Sequence, residues 1–243
     1  ISPVNNAAAT PDTLTLRITV VTASKVDLSN GKGDENGIDD DTPKAGEGQN
    51  TTYIVDDKTT KPGVAVTFPL AITNFGAGSD NFNVSSDLPA GWTVDYYLSD
   101  AAGNCSTNKV TNTGNILAGQ TAYLCAVVTP PAGATPADSR DINFTVSSPA
   151  SGLSDTLKDH VTVDEVRALT FVPDRQGQTT AGGTVTYTHT LTNTGNVTEG
   201  AGGAGQSTLP VSVTSTLSGV TTSVYVDLNN NGIADANELV TGN

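Results

Sequence analysis

This sequence predicts an all-β chain of tandem β-sandwiches, on three observations. The first is alternation. In "GVAVTFPLAITNFG", Val64, Val66, Phe68, Leu70 and Ile72 alternate with Ala, Thr and Pro, the period of a strand with one face on a core. The second is punctuation: Gly, Pro and Asn turns recur about every 8–12 residues, as between the short strands of a sandwich. The third is an internal repeat. Val66 to Val185, Phe68 to Tyr187, Ile72 to Leu191, Asn74 to Asn193 and Gly76 to Gly195 share one offset of 119 positions (185 − 66). That is one sandwich in length, so the pattern reads as an array.

Taken in order, the chain divides into 1–51, 52–165 and 166–243. Residues 1–51 hold the strand "TLTLRITVVTASKV" and the acidic stretch "VDLSNGKGDENGIDDD". The strand reads either as the last strand of a preceding domain or as one available for donation to another copy. Residues 52–165 are the full unit. Within it Trp92, Val94, Tyr96 and Leu98 alternate as an inward face, and "LAGQTAYLCAVVTPPAGA" and "RDINFTVSSPASGLSDTLKDHVTV" supply its later strands. In 166–243 "GTVTYTHTLTNTG" answers the Val64–Ile72 strand, and "STLSGVTTSVYVDLNNNG" answers "LPAGWTVDYYLSDAAGN", displaced by the insert "GAGGAGQ". Counterparts of 116–164 do not follow. A half-sandwich exposes an apolar face and an open edge, so chain beyond Asn243 or a partner's strands is expected to complete it.

Composition bounds the partners. The 243 residues carry 25 acidic against 11 basic side chains, a net charge of −14. With no basic patch interleaved with aromatics, nucleic acid is not an expected partner. No apolar run approaches the roughly 18 residues needed to span a bilayer as a helix, so no direct membrane span is expected in this chain. No initiator Met and no signal-peptide pattern is present, so a processed chain or a fragment is expected. Cys105 and Cys125 fit a single disulfide made in an oxidising compartment, the alternative being two buried thiols. If bridged, the loop of about 20 residues adds roughly 3 kcal/mol. The N-x-S/T triplets at Asn50, Asn83, Asn104, Asn143 and Asn196 are weak signals in a chain this rich in Ser and Thr.

The most specific motif is "DLNNNGIADANE". Asp227, Asn229 and Asn231 occupy loop positions 1, 3 and 5, Gly232 position 6, Asp235 position 9 and Glu238 position 12. Ile233 offers its carbonyl at position 7, and its side chain is expected to tuck beneath the loop. Hard oxygen donors at this spacing suit Ca²⁺, although a strand precedes the loop where a helix is usual. The alternative is an acidic Asn/Gly-rich turn without a metal. Asp34, Asn36 and Asp40 echo the middle of the same motif, with Asp27 as a further candidate, and there a metal site and a solvated acidic loop are equally good readings. In the first unit the matching loop is "LSDAAGNCSTN", which keeps Asp100 and Asn104 and carries Cys105. One loop position is thus expected to be stiffened by a disulfide in one copy and by calcium in the other.

No catalytic constellation stands out, and the chain is not expected to be an enzyme. His189 falls at the repeat position of Leu70, and His160 lies in an alternating strand. No G-x-S-x-G, H-E-x-x-H, phosphate loop or C-x-x-C occurs. Trp92, on an alternating strand, reads as a core residue, with a sugar platform formed together with Tyr96 and Tyr97 as the alternative.

"TKPGVAVTFPLAITNFGAGSDNFNVSSDLPAGWTVDYYLSD", "NTGNILAGQTAYLCAVVTPPAGA" and "AGGTVTYTHTLTNTGNV" resemble the "conserved repeat" immunoglobulin-like domains of bacterial envelope and surface-layer proteins. The resemblance covers about 52–243, the second copy incompletely. It implies tandem immunoglobulin-like β-sandwiches serving as spacers and assembly units, often beside calcium loops, and no active site. The expectation is a secreted structural protein of the cell surface: a calcium-stiffened subunit or segment of a surface layer, fibre or adhesive stalk. Its partners would be copies of itself or neighbouring envelope proteins, with polysaccharide a further candidate. The alternative is a carbohydrate-binding or accessory module of a secreted enzyme, favoured if the three aromatics are exposed.

Overall fold

Alternation becomes two facing sheets in the computed structural model, which describes residues 26–30, 54–200 and 202–240. The first sheet comprises β1 (Val26–Ser29), β3 (Val66–Asn74), β7 (Thr121–Thr129), β5 (Thr93–Ser99) and β6 (Cys105–Val110), side by side in that order. The second sets β2 (Asp57–Thr60), β9 (Ser154–Val163), β8 (Arg140–Ser147) and β4 (Asn83–Ser86) in order. Every neighbour is antiparallel except β2, which runs parallel to β9. With β1-β3-β7-β5 facing β4-β8-β9, the strand order is the A-B-E-D over C-F-G arrangement of an immunoglobulin-like sandwich. No α-helix occurs among the described residues.

Each long strand contributes its alternate residues to one core. Phe68, Leu70 and Ile72 of β3 meet Leu124, Ala126 and Val128 of β7 on the first sheet. Facing them are Ile142, Phe144 and Val146 of β8 with Leu157, Val161 and Val163 of β9, all but buried completely. Phe144 is the centre of an aromatic group, its ring 5.7 Å from Phe68 and 6.4 Å edge-on from Tyr96. Such contacts add to the area each ring removes from water.

Val26–Ser29, expected within a separate 1–51 segment, is the edge strand of this sheet, with Val26 opposite Asn74 and Ser29 opposite Ala71. The strand expected at 14–21 and the acidic residues Asp34, Asn36 and Asp40 lie outside the described residues. Cys105 and Cys125 form a disulfide, with Cα atoms 5.7 Å apart, joining β6 to β7, the two neighbours of β5.

Beyond the sandwich, β10 (Leu169–Val172) pairs antiparallel with β11 (Thr190–Asn193). Leu169 faces Asn193 and Val172 faces Thr190, which copies the β1–β3 ladder: Asn193 stands to Leu169 as Asn74 stands to Val26. The strand expected over 185–191 is therefore shorter than its counterpart, and the strand expected before Asp227 is only a bridge between Tyr225 and Leu239. The physical reason is the lack of neighbours. β3 is held by β1 on one side and by β7 on the other, whereas among the described residues β11 has β10 alone. Phe171, Val185, Tyr187 and Leu191 consequently remain exposed.

Candidate functional site

Asp100 and Asp227 each head a turn of the same construction. In the first, the N–H groups of Ala102 and Asn104 donate to Asp100 Oδ1 (3.0 and 2.9 Å), and Asn104 Nδ2 donates to Oδ2 (2.8 Å). The Asn104 side-chain amide, reinforced by these backbone donors, holds the Asp100 carboxyl below the usual carboxylate range. Gly103 takes a positive φ of 81° to close the turn. In the second, Asn231 N–H donates to Asp227 Oδ1 (3.0 Å) and Gly232 N–H to Oδ2 (2.8 Å). Asn230, three residues after Asp227 as Gly103 is after Asp100, takes the same left-handed conformation at φ 57°, and Gly232 follows at φ 72°. In both turns the Asp Oδ1 takes the N–H four residues on, from Asn104 and from Asn231. The two loops matched in the sequence share their opening geometry.

After that opening they diverge. The first is tied down by Cys105–Cys125. The second continues through Asn229, whose Oδ1 also accepts from Asn231 N–H, and Asn231, whose Oδ1 accepts from Ile233 N–H at 2.7 Å. Asp235 Oδ2 receives the side-chain amides of Asn229 and Asn231 (3.0 and 3.2 Å). A single 3-10 turn, Ala236–Glu238, then folds Glu238 back into the loop. Its carboxylate, only 3% exposed, accepts the Leu228 N–H at 2.9 Å. Asp227, Asn229, Asn231, Asp235 and Glu238 are thus brought into one curl.

The donor chemistry of that curl suits a hard cation. Its oxygens are, however, spent on the loop's own N–H groups. Among the described residues, no three or more His, Cys, Asp or Glu side chains gather in a way that could hold a metal ion. Ile233 is 61% exposed rather than tucked beneath the loop, because no core underlies it among the described residues.

A pair of inward carboxylates on β9 was not singled out in the sequence. Asp155 and Asp159 share the face of Leu157, Val161 and Val163, and both are buried. Asp155 Oδ2 accepts the Leu28 N–H at 2.7 Å, and Asp159 Oδ1 accepts the Asp56 N–H at 3.0 Å. They thereby hold β1 and the residue that precedes β2 against β9. Val26-Asp27-Leu28 repeats as Val226-Asp227-Leu228, and in each case a buried carboxylate takes the leucine N–H: Asp155 in one, Glu238 in the other. That shared tripeptide was the available signal. The carboxylate partner of Leu28 was not legible, because it lies 127 positions away.

The remaining candidates have structural surroundings. Trp92 is 8% exposed with the Arg140 guanidinium over its ring at 5.3 Å, Tyr96 is in the core, and Tyr97 is half-buried. His160 Nδ1 lies 2.7 Å from Asp141 Oδ1. That contact, with Lys158 beside it, holds the Asp141 carboxyl below its usual range. His189 stacks on Phe171 with ring centres 5.0 Å apart.

The class these features define is an immunoglobulin-like β-sandwich carrying Asp-headed loops. No protein-family model matches the chain, and no curated protein does. Among solved structures it is similar to a PapD-like domain of human CEP192 (13% identity, TM-score 0.30, covering 66% of this chain and 98% of that one). It is also similar to the CARDB domain of the PF1109 protein from Pyrococcus furiosus (9% identity, TM-score 0.28, 61% and 100%). A family 123 glycoside hydrolase from Clostridium perfringens matches at 11% identity and TM-score 0.37, over 58% of this chain and only 27% of that one. Likenesses this distant carry no functional argument.

Proposed function

We propose that the chain is a structural protein of the cell surface, a calcium-stiffened subunit or segment of a surface layer, fibre or adhesive stalk made of tandem immunoglobulin-like units. The observation that carries this reading is the corner repeated at an offset of 119. Asn74 Nδ2 donates to the carbonyl of Gly78 and its Oδ1 accepts from Gly76 N–H. Asn193 Nδ2 donates to the carbonyl of Val197 and its Oδ1 accepts from Gly195 N–H. A corner remade in the next stretch of chain, together with the copied β1–β3 ladder, supports units strung in series.

The disulfide supports an extracellular setting. The burial of Trp92 and Tyr96 favours this reading over a sugar-binding module, which needs aromatic faces open to solvent. In the proposed role Asp227, Asn229, Asn231, Ile233 (through its carbonyl), Asp235 and Glu238 hold Ca²⁺. The ion would supply fixed charge and crosslinking of the loop, with no part in turnover. Copies of the same chain, or neighbouring envelope proteins, would be the partners. Negative-stain electron microscopy of the purified chain with and without calcium tests the reading. Ordered fibres or sheets are expected with the ion, and dispersed monomers in both conditions would refute it.

A further inference from the structure

We infer that Asn196 is a metal-independent joint that locks the β10–β11 ladder onto the preceding sandwich at a set angle. Its side chain holds both sides of the connection. Oδ1 accepts the Val166 N–H at 2.6 Å, and Nδ2 donates to the carbonyls of Asp164 (2.8 Å) and Ala134 (3.1 Å). Its own N–H donates to the Val166 carbonyl at 2.9 Å. One residue of the corner after β11 therefore grips the connecting segment after β9. It also grips the 131–135 turn, which belongs to the sandwich and whose Ala134 is 2% exposed.

The neighbouring residues are shaped for the same contact. A Cβ at Gly195 would collide with the Val166 carbonyl oxygen, so only glycine lets the corner approach the connection this closely. Arg167 then fastens the other side of the connection. It ion-pairs with Glu165 and Glu199, and donates to Ser207 Oγ (3.1 Å) and the Gly205 carbonyl (2.5 Å). Asn196 corresponds to Ala77 in the repeat (196 − 119). The Asn-headed hydrogen bonds and the glycine of the corner are shared, and Asn196 in place of Ala77 supplies the amide that crosses the connection. Hydrogen bonds to backbone carbonyls and N–H groups fix direction as well as distance, so the contact sets an angle rather than merely a tether. This inference stands apart from the calcium loop, which lies at 227–238.

The test uses the full 243-residue chain, ¹⁵N-labelled, read by amide hydrogen exchange and backbone relaxation. In the wild type, amides of 166–199 should tumble with those of the sandwich, with or without a chelator. Asn196→Ala should speed Val166 amide exchange by about tenfold or more, the order expected for loss of a net hydrogen bond. It should also uncouple the tumbling of 166–199, while emission of the single Trp, Trp92, remains that of the folded sandwich. Asn196→Asp keeps the acceptor for Val166 and loses both donors, so it should retain much of the Val166 protection and still loosen the coupling. Independent tumbling in the wild type would overturn the joint, as would Val166 exchange unchanged in Asn196→Ala. Release of the joint by a chelator would refute its independence from metal. A chain that binds no calcium yet keeps the coupling leaves the joint standing while the calcium reading fails.

Discussion

Asn74 and Asn193, 119 positions apart, close the same corner with the same hydrogen bonds, yet they do so in opposite environments. Asn74 is 1% exposed and makes a further bond to the Ile116 carbonyl at 2.9 Å. Asn193 is solvent-exposed. Replacement of Asn74 by Ala should therefore cost about 2–3 kcal/mol, because buried polar groups lose their partner. Asn193→Ala should cost under about 1 kcal/mol, water replacing the lost bonds. Urea denaturation of the two variants checks the asymmetry; equal costs would contradict it.

The disulfide closes a loop with a sequence separation of 20. Its reduction should lower sandwich stability by about 3 kcal/mol through the unfolded chain's added freedom, and leave amide exchange across 227–238 as it was. Thermal melts with and without reductant, paired with exchange measurements, separate the two regions. Loosening of both regions to the same extent would defeat the idea of independently braced loops.

Calcium titration followed by calorimetry should give binding in the range of about 10⁻⁴–10⁻³ M expected of extracellular modules. Asp227→Asn and Glu238→Gln should each weaken it at least about tenfold. If the heat of titration is the same for both variants as for the wild-type chain, the 227–238 loop is not the site.

Phe144 sits between the sheets, in contact range of Phe68 and Tyr96. Phe144→Ala should cost about 3–5 kcal/mol, the sum of lost transfer energy and an unfilled cavity. A denaturation midpoint near that of the wild type would show that this core collapses onto the gap.

Burial pushes the Tyr96 hydroxyl up from 10.0 to about 12. A folded-state value above the unfolded one means the fold favours the neutral phenol. That contribution is complete below pH 10 and is lost as pH rises through about 12. Spectrophotometric titration should show one tyrosine ionising late, together with the onset of alkaline unfolding. In Tyr96→Phe the late step should vanish. Its persistence would assign the step to another tyrosine.

Much of the sandwich was legible from local pattern. Phe68, Leu70 and Ile72 face the core as their alternation requires, and so do Trp92 and Tyr96. The Cys105–Cys125 pairing followed from there being only two cysteines. The kinship of the Asp100 and Asp227 turns was readable because a turn's geometry is written in a few adjacent residues. Less legible was the weak ladder at 190–193. "GTVTYTHTLTNTG" has as good an alternation as its counterpart, but a strand is stable only beside partners, and its pattern says nothing of whether they are present.

By itself, then, the sequence determined the all-β character, the central inward residues Phe68, Leu70, Ile72, Trp92 and Tyr96 (though not Val64 or Leu98, which are exposed), the disulfide partners and the spacing of the Asp-headed loops. Each of these depends on neighbours within a few positions or on a count of two. Only the tertiary structure decided that Val26–Ser29 borders β3, that β2 runs parallel to β9, and that Asp155 and Asp159 turn inward to receive backbone N–H groups. It also placed Arg140 over Trp92 and the Asn196 amide across the connection at 164–166. These contacts join residues tens to more than a hundred positions apart. Their partners are selected by the packing of one sheet on another, a choice that period-two alternation leaves open.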